Sequence, residues 1–141
     1  MIVRDARPDD VAAVHRLIGQ LADAPELPEF RRRFDRVVSA DGQRIIVAEA
    51  DGEVVGVLHM FERAALEKPC EAVVQALVVD SEARSSGVGE ALMREAEAWA
   101  RHRKLPSVSL YSGDHRKRAH AFYERIGYRI KATSVRLERA L

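Results

Sequence analysis

Apolar positions along this chain change their spacing several times, and each change marks an element. Val11, Val14, Leu17, Ile18 and Leu21 recur at helical spacing, with Pro8 where the helix can begin. Asp9 and Asp10 fall in its first turn, where acids complement the helix dipole. Ile2-Val3-Arg4 before it reads as a short strand. Pro25 and Pro28 break the chain, and Phe30 to Val38 predicts a second short helix carrying Arg31, Arg32 and Arg33. The spacing then becomes that of strands. Arg44–Ala50 and Glu53–Phe61 flank Asp51-Gly52, a two-residue hairpin signal. Gly56 within the returning strand predicts a bulge or a close approach to another backbone. Ala64 to Pro69 reads as a loop.

The next run is more continuous. Val73, Val74, Leu77, Val78 and Val79 predict a strand covered on both faces. After Gly89 the period turns helical again, with Val88, Leu92, Ala96 and Trp99 along one side and Glu90–Arg94 and Glu97–Arg101 as i,i+4 pairs. Pro106 cannot continue that helix, which predicts an end near Lys104. Val108 to Tyr111 is a short strand, and Arg118 to Ile126 a helix with Ala119, Phe122 and Ile126 on one side. Gly127 stands in the C-terminal capping place. Tyr128 to Leu137 alternates as a final strand would. The predicted order is β-α-α-β-β-β-α-β-α-β. The consecutive strands call for antiparallel pairing and the later β-α-β unit for a parallel pair. The fold class is therefore α/β (α+β): a mixed central sheet flanked by helices on both faces, in one domain over residues 1–141.

Composition narrows the function. The 141 residues include 23 basic and 22 acidic side chains, a net charge of +1 that supplies no field for nucleic acid or a membrane surface. No apolar run has the length of a membrane span, and the first residues lack a signal-peptide layout, so a cytoplasmic location is the expectation. Cys70, the single cysteine, excludes an internal disulfide and a multi-cysteine metal site. It reads as a small buried hydrophobe. The basic clusters Arg31–Arg33 and His115–Arg118 read first as solvated faces.

One segment carries chemistry. Val78-Val79-Asp80-Ser81-Glu82-Ala83-Arg84-Ser85-Ser86-Gly87-Val88-Gly89 predicts a strand, a turn and a glycine loop opening a helix. N–H groups at a helix N-terminus lack intrahelical partners and carry partial positive charge, so they attract phosphate. Two glycines allow close approach, and Arg84 adds a cation. Arg-x-x-Gly-x-Gly is neither the Lys-containing phosphate loop nor the dinucleotide Gly-x-Gly-x-x-Gly.

With the element order, this loop, and Arg116-Lys117-Arg118-Ala119-His120-Ala121-Phe122-Tyr123-Glu124-Arg125-Ile126-Gly127-Tyr128 following about 30 residues later, a distance that fits a βαβ unit, the chain resembles the GNAT superfamily of acetyl-CoA-dependent N-acetyltransferases over nearly its full length. The resemblance implies acetyl-CoA as co-substrate, with no metal. It implies that Leu77, Val78 and Val79 bind the pantetheine arm as an added strand, and that Arg84, Ser85, Ser86, Gly87, Val88 and Gly89 hold the pyrophosphate. Arg116 is a further CoA contact or a surface arginine. Tyr123 is implied as general acid to the leaving thiolate, and an N–H of Val78 or Val79 as the oxyanion donor. Many relatives carry a carboxylate in the strand before the loop. Gln75 and Ala76 stand there instead, which leaves Glu71 and His59 as comparable candidates for the base. The expected acceptor is the primary amine of a small molecule. A protein or peptide amine is an alternative, as is an acyl-CoA-binding or sensing module with little turnover. A nucleotide-binding protein unrelated to acetyl transfer would rest on the loop alone. The resemblance also carries an expectation of homodimers, with the final strand as the edge.

Overall fold

A computed structural model describes every residue from Met1 to Leu141. It falls into two compact units, Met1–Leu110 and Tyr111–Leu141.

The first unit is built on a five-stranded sheet: β1 (Ile2–Asp5), β2 (Gln43–Ala50), β3 (Glu53–Arg63), β4 (Glu71–Val79) and β5 (Val108–Leu110), adjacent in that order. The first three pairings are antiparallel and β4–β5 is parallel, as the order of elements predicts. At the β2–β3 turn, Asp51 (φ 51°) and Gly52 (φ 80°) both adopt left-handed backbone, the conformation that matches the twist of a two-residue hairpin.

Strand register assigns the two faces. Ile45 pairs with His59 and Val47 with Val57, so these side chains share one face. That face packs under α1 (Val11–Ile18) and α2 (Leu27–Ser39) through Val11, Val14, Leu17, Phe30 and Phe34. Ile46, Ala48, Leu58 and Met60 alternate onto the other face, where α3 (Val88–His102) buries Val88, Leu92, Met93, Ala96 and Ala100. Gly56 has the role its position suggests. A Cβ there would stand 2.8 Å from Val88 Cγ1 and 3.0 Å from Leu92 Cδ1, and the neighbouring Val55 is the extra residue of a bulge against β2.

Several boundaries differ from expectation. Pro28 does not break the chain. It occupies the first turn of α2, where its missing N–H is not needed and its fixed φ suits a helix. Pro8–Asp10 forms a 3-10 turn before α1, and α1 ends at Ile18, leaving Leu21 largely exposed. Trp99 is half-buried; Ala100 rather than Trp99 continues the packed side of α3. Cys70 is also half-buried rather than buried.

The second unit contains α4 (Lys117–Arg125), closed by Gly127 at φ 105°. Gly127 N–H donates to Glu124 O and Tyr128 N–H to Tyr123 O, a glycine-dependent double cap. The predicted strand Tyr128–Leu137 does not form: residues after the cap adopt no helix or strand, and Arg129–Leu141 are exposed throughout. The alternation is present in the sequence, but a strand needs a neighbouring strand to satisfy its backbone, and none pairs with it here.

Candidate active site

Strand β4 behaves differently along its two halves, and the division falls at one residue. Glu71 to Val74 pair with Arg63 to Met60, whereas Ala76 pairs with His59; Gln75 is the additional residue of a bulge. Parallel pairing to β5 covers Ala72 to Val74 only. Beyond the bulge, β4 remains bonded to β3 but has no strand on its other side. A bulge bends and twists its strand, which accounts for the divergence starting there.

The exposed backbone groups follow from the ladder. Asp80 N–H donates to Val55 O at 2.8 Å. In an antiparallel pair, successive residues point both backbone groups alternately toward and away from the partner. Val78 and Ala76 therefore turn toward β3, while Leu77 and Val79 turn theirs into the gap that β5 leaves. The Val78 main chain thus faces β3 in this ladder. Leu77 offers its N–H and C=O to an added strand and Val79 its N–H, the Val79 C=O being engaged by Arg84.

The gap leads directly into the loop. Asp80 accepts from Glu82 N–H at 3.1 Å and from Arg16 Nη1 at 2.7 Å, and Gln20 Oε1 accepts from Ser81 N–H at 3.2 Å. Arg16 holds the Asp80 carboxyl below its ordinary range. Arg16 of α1 and Gln20 just after that helix thus anchor the start of the loop, which sequence spacing did not single out. Arg84 donates from Nε to Val79 O at 3.3 Å and is exposed; Ser86 Oγ donates to Ala83 O. Ser85 (φ 67°) and Gly87 (φ 86°) take left-handed backbone, and Gly87 is the N-cap of α3, with Val88 and Gly89 in its first turn. Ala91 N–H makes the first bond to Gly87 O, so the N–H groups before it have no helical acceptor.

His59 and Glu71 sit on the same sheet face as each other but in unlike surroundings. His59 Nε2 lies 2.7 Å from Gln43 Oε1, a contact in which the ring nitrogen must donate, leaving Nδ1 as the acceptor. Burial lowers the His59 pKa, so the ring is neutral near pH 7. Burial opposes ionisation of Glu71, yet bonds from Arg63 and Lys68 outweigh it and hold the carboxyl below its usual range. Glu71 is engaged by two cations, which makes it a poor proton acceptor. Cys70 has its thiol pushed up by burial and by Glu62, whose Oε1 is 3.6 Å from Sγ. It is not poised as a thiolate.

Within the second unit, the Tyr123 ring lies edge-on to Phe122 and Tyr128, with centroids 5.1 and 6.0 Å away. Burial raises its pKa, and the Arg116 charge offsets part of that rise. The phenol is therefore protonated near neutrality. Arg116, the N-cap of α4, is exposed, and His120 is half-buried. Arg31, Arg32 and Arg33 are exposed on α2, Arg33 pairing with Glu29. No group of His, Cys, Asp and Glu is arranged to hold a metal ion, and no helix is long and apolar enough to cross a membrane.

Comparison with known proteins agrees with this geometry. The model of the acetyltransferase (GNAT) family matches residues 11–128. YhdJ of Bacillus subtilis (strain 168), named an uncharacterized N-acetyltransferase, is 25% identical over 125 residues, covering 88% of each chain. The 5-NmdU N-acetyltransferase of Pseudomonas phage PaMx11 is 28% identical, over 96% of this chain and 91% of that protein. The solved structure of an aminoglycoside antibiotic 6'-N-acetyltransferase from Acinetobacter haemolyticus superposes with a TM-score of 0.89 over 100% of this chain and 99% of its own, at 16% identity, a likeness of fold. This chain belongs to the acetyltransferase (GNAT) family, whose enzymes use acetyl-CoA as co-substrate.

Proposed function

We propose that this GNAT acetyltransferase moves an acetyl group from acetyl-CoA to the primary amine of a small molecule by direct attack. The observation that carries the reading is the half-open β4. Leu77 and the Val79 N–H lie where β5 has parted from β4, in line with a loop whose left-handed Ser85 and Gly87 lead into the N-terminus of α3. Pantetheine carries amide groups and can add to β4 as a strand does. The pyrophosphate then meets the first N–H groups of α3, with Arg84, Ser85, Ser86, Val88 and Gly89 around it and Arg116 as a further cation.

In the reaction the amine nitrogen forms a bond to the thioester carbon, and charge builds on the carbonyl oxygen. The Val79 N–H is the donor suited to stabilise it. The carbon–sulfur bond then breaks with its electron pair going to sulfur, and the Tyr123 hydroxyl supplies the proton that converts thiolate to thiol. The amine must arrive neutral and shed a proton on acylation. His59 Nδ1, neutral by burial, is the better acceptor for it, because Glu71 is held in ion pairs. Both relatives described above are named N-acetyltransferases, which supports nitrogen as the acceptor atom. The exposed arginines of α2 argue against a polycationic acceptor.

One observation favours the alternative of an acyl-CoA-binding module with little turnover: β4 carries no free carboxylate near the bulge. Thermal unfolding with acetyl-CoA, and separately with ATP or NAD, tests the shared premise. Ligand at about 100 times its Kd adds roughly 2.7 kcal/mol, a midpoint rise of several degrees. A rise with acetyl-CoA alone supports the reading, and amine-dependent release of CoA then separates enzyme from sensor. An equal rise with ATP would overturn it.

A further inference from the structure

Gln43 opens β2, and no motif in the sequence around it marks a site. Its place in the sheet does. Gln43 stands across from Phe61 and Ile45 across from His59, so all four side chains share one face. On the other side of β3, His59 pairs with Ala76, the first residue beyond the Gln75 bulge. The ring is therefore carried one rung from Leu77, where β4 has lost its second neighbour.

Imidazole has two nitrogens, and only a bare one can take a proton. Left alone, a neutral ring divides between two tautomers. Gln43 Oε1, 2.7 Å from Nε2, can only accept, so it holds the proton at Nε2 and leaves Nδ1 bare. The kind of acceptor matters as much as its position. A carboxylate there would hold the same tautomer but favour the imidazolium, and a ring already charged is no base. An amide carbonyl orients the ring and adds no charge.

The charged groups around His59 are engaged elsewhere. Arg63 and Glu71, further along its face, pair with each other. Arg44 lies on the opposite face and pairs with Asp5 and Glu95. On α1, His15 is bonded to Pro25 O and Arg16 to Asp80, and the charged side chains of α2 are all exposed. Burial is what acts on the ring.

We propose that Gln43 is a positioning residue for acetyl transfer, its side-chain carbonyl holding His59 in the tautomer with Nδ1 bare while leaving the ring uncharged. The inference rests on the reading of His59 as acceptor of the amine proton.

Nitrogen-15 NMR of the His59 ring in the full chain reads both properties without substrate. Near pH 7 the unsubstituted chain should show Nε2 protonated and Nδ1 bare. Gln43→Leu removes the acceptor and should let the ring divide between tautomers. Gln43→Glu should keep the tautomer and raise the midpoint of ring titration by about 1 pH unit or more. A bare Nε2 would mean that Gln43 presents its amide nitrogen, and would overturn the proposal. So would a tautomer indifferent to Gln43→Leu, or a midpoint indifferent to Gln43→Glu.

Turnover ties the ring to the chemistry, read as CoA release from acetyl-CoA with ethanolamine as the probe amine. Gln43→Leu should lower kcat/KM near pH 7 roughly tenfold, the worth of one buried hydrogen bond. Gln43→Glu should carry the acid limb of kcat/KM upward with the ring's midpoint, which a merely structural glutamine would not do. A limb that stays in place while the midpoint moves would remove His59, and Gln43 with it, from the reaction. Failure of the unsubstituted chain to bind acetyl-CoA would overturn the acetyl-transfer reading and this proposal together. The wrong tautomer in a chain that does bind it would overturn the proposal alone.

Discussion

The β2–β3 ladder and the β4–β5 ladder are neighbours in one sheet and do opposite things. β2 pairs with β3 along all of Gln43–Ala50, and both faces of the pair are covered, by α1 and α2 on one side and α3 on the other. β4 and β5 share three rungs and part at the Gln75 bulge. The first ladder is continuous but for the Val55 bulge and gives rigidity. The second leaves the Leu77 backbone and the Val79 N–H with bonds that a ligand can complete. Unpaired backbone is costly in a core, so a sheet can hold it open only beside a part that does not yield.

The comparison can be broken most severely on the paired side. Gly56→Val should cost about 3 kcal/mol, because the new side chain collides with Val88 and Leu92 and neither can leave the core without displacing α3. Urea unfolding measures this as a fall in midpoint at unchanged slope. A loss under 1 kcal/mol would mean that α3 moves freely over the sheet.

The proposed chemistry should respond without such a loss. Tyr123→Phe removes one hydroxyl from a packed ring and should lower turnover by ~100-fold, about 2.7 kcal/mol of barrier. Acetyl-CoA affinity should stay within twofold, read from calorimetric titration. Unchanged turnover would remove Tyr123 from the mechanism.

The loop should show a smaller and separable effect. Gly87→Ala meets no atom within 4 Å, so its stability cost is backbone strain alone, about 1 kcal/mol at φ 86°. The acetyl-CoA-induced rise in Tm should shrink in this variant by more than its own Tm falls. An undiminished rise would place the pyrophosphate elsewhere.

The smallest effect is a pH dependence. Burial lowers the His59 pKa below the ordinary 6.5, so the unfolded chain takes up the proton first as pH falls. The stability this neutral ring contributes is complete above about pH 6.5 and is lost as pH drops from there toward the lower folded value. His59→Gln should flatten that part of the stability profile, measured by urea midpoints between pH 5 and 7.5. In activity, the same variant should lose the acid limb of kcat/KM if His59 is the base.

Much of this was legible beforehand, for identifiable reasons. Asp51-Gly52, Gly56 and Gly127 each announce a backbone requirement that side-chain sterics impose locally, and all three hold those roles. Val88, Leu92 and Ala96 announce a helix face by period alone. The glycine loop was visible as spacing. The Gln75 bulge was not, because a bulge is a mismatch between two strands and neither strand records it. The same holds for Arg16 and Gln20, which reach the loop across more than 60 residues of chain. Glu71 and His59 looked equal as candidates until their neighbours separated them: Arg63 and Lys68 neutralise one, and burial beside Gln43 keeps the other neutral.

The final segment marks the boundary between the two kinds of information. Alternation from Tyr128 to Leu137 suits the segment to lie as a strand against another, and the sequence by itself determined that much. It could not determine against what. Helical period, turn residues and caps act through bonds between residues a few positions apart, so the chain carries them in its order. Pairing, register, the point where β4 and β5 part, and the charge state of a buried ring depend on groups brought together from distant positions. Those were decided only when the tertiary structure set the distances, because electrostatic and hydrogen-bond energies are functions of separation in space.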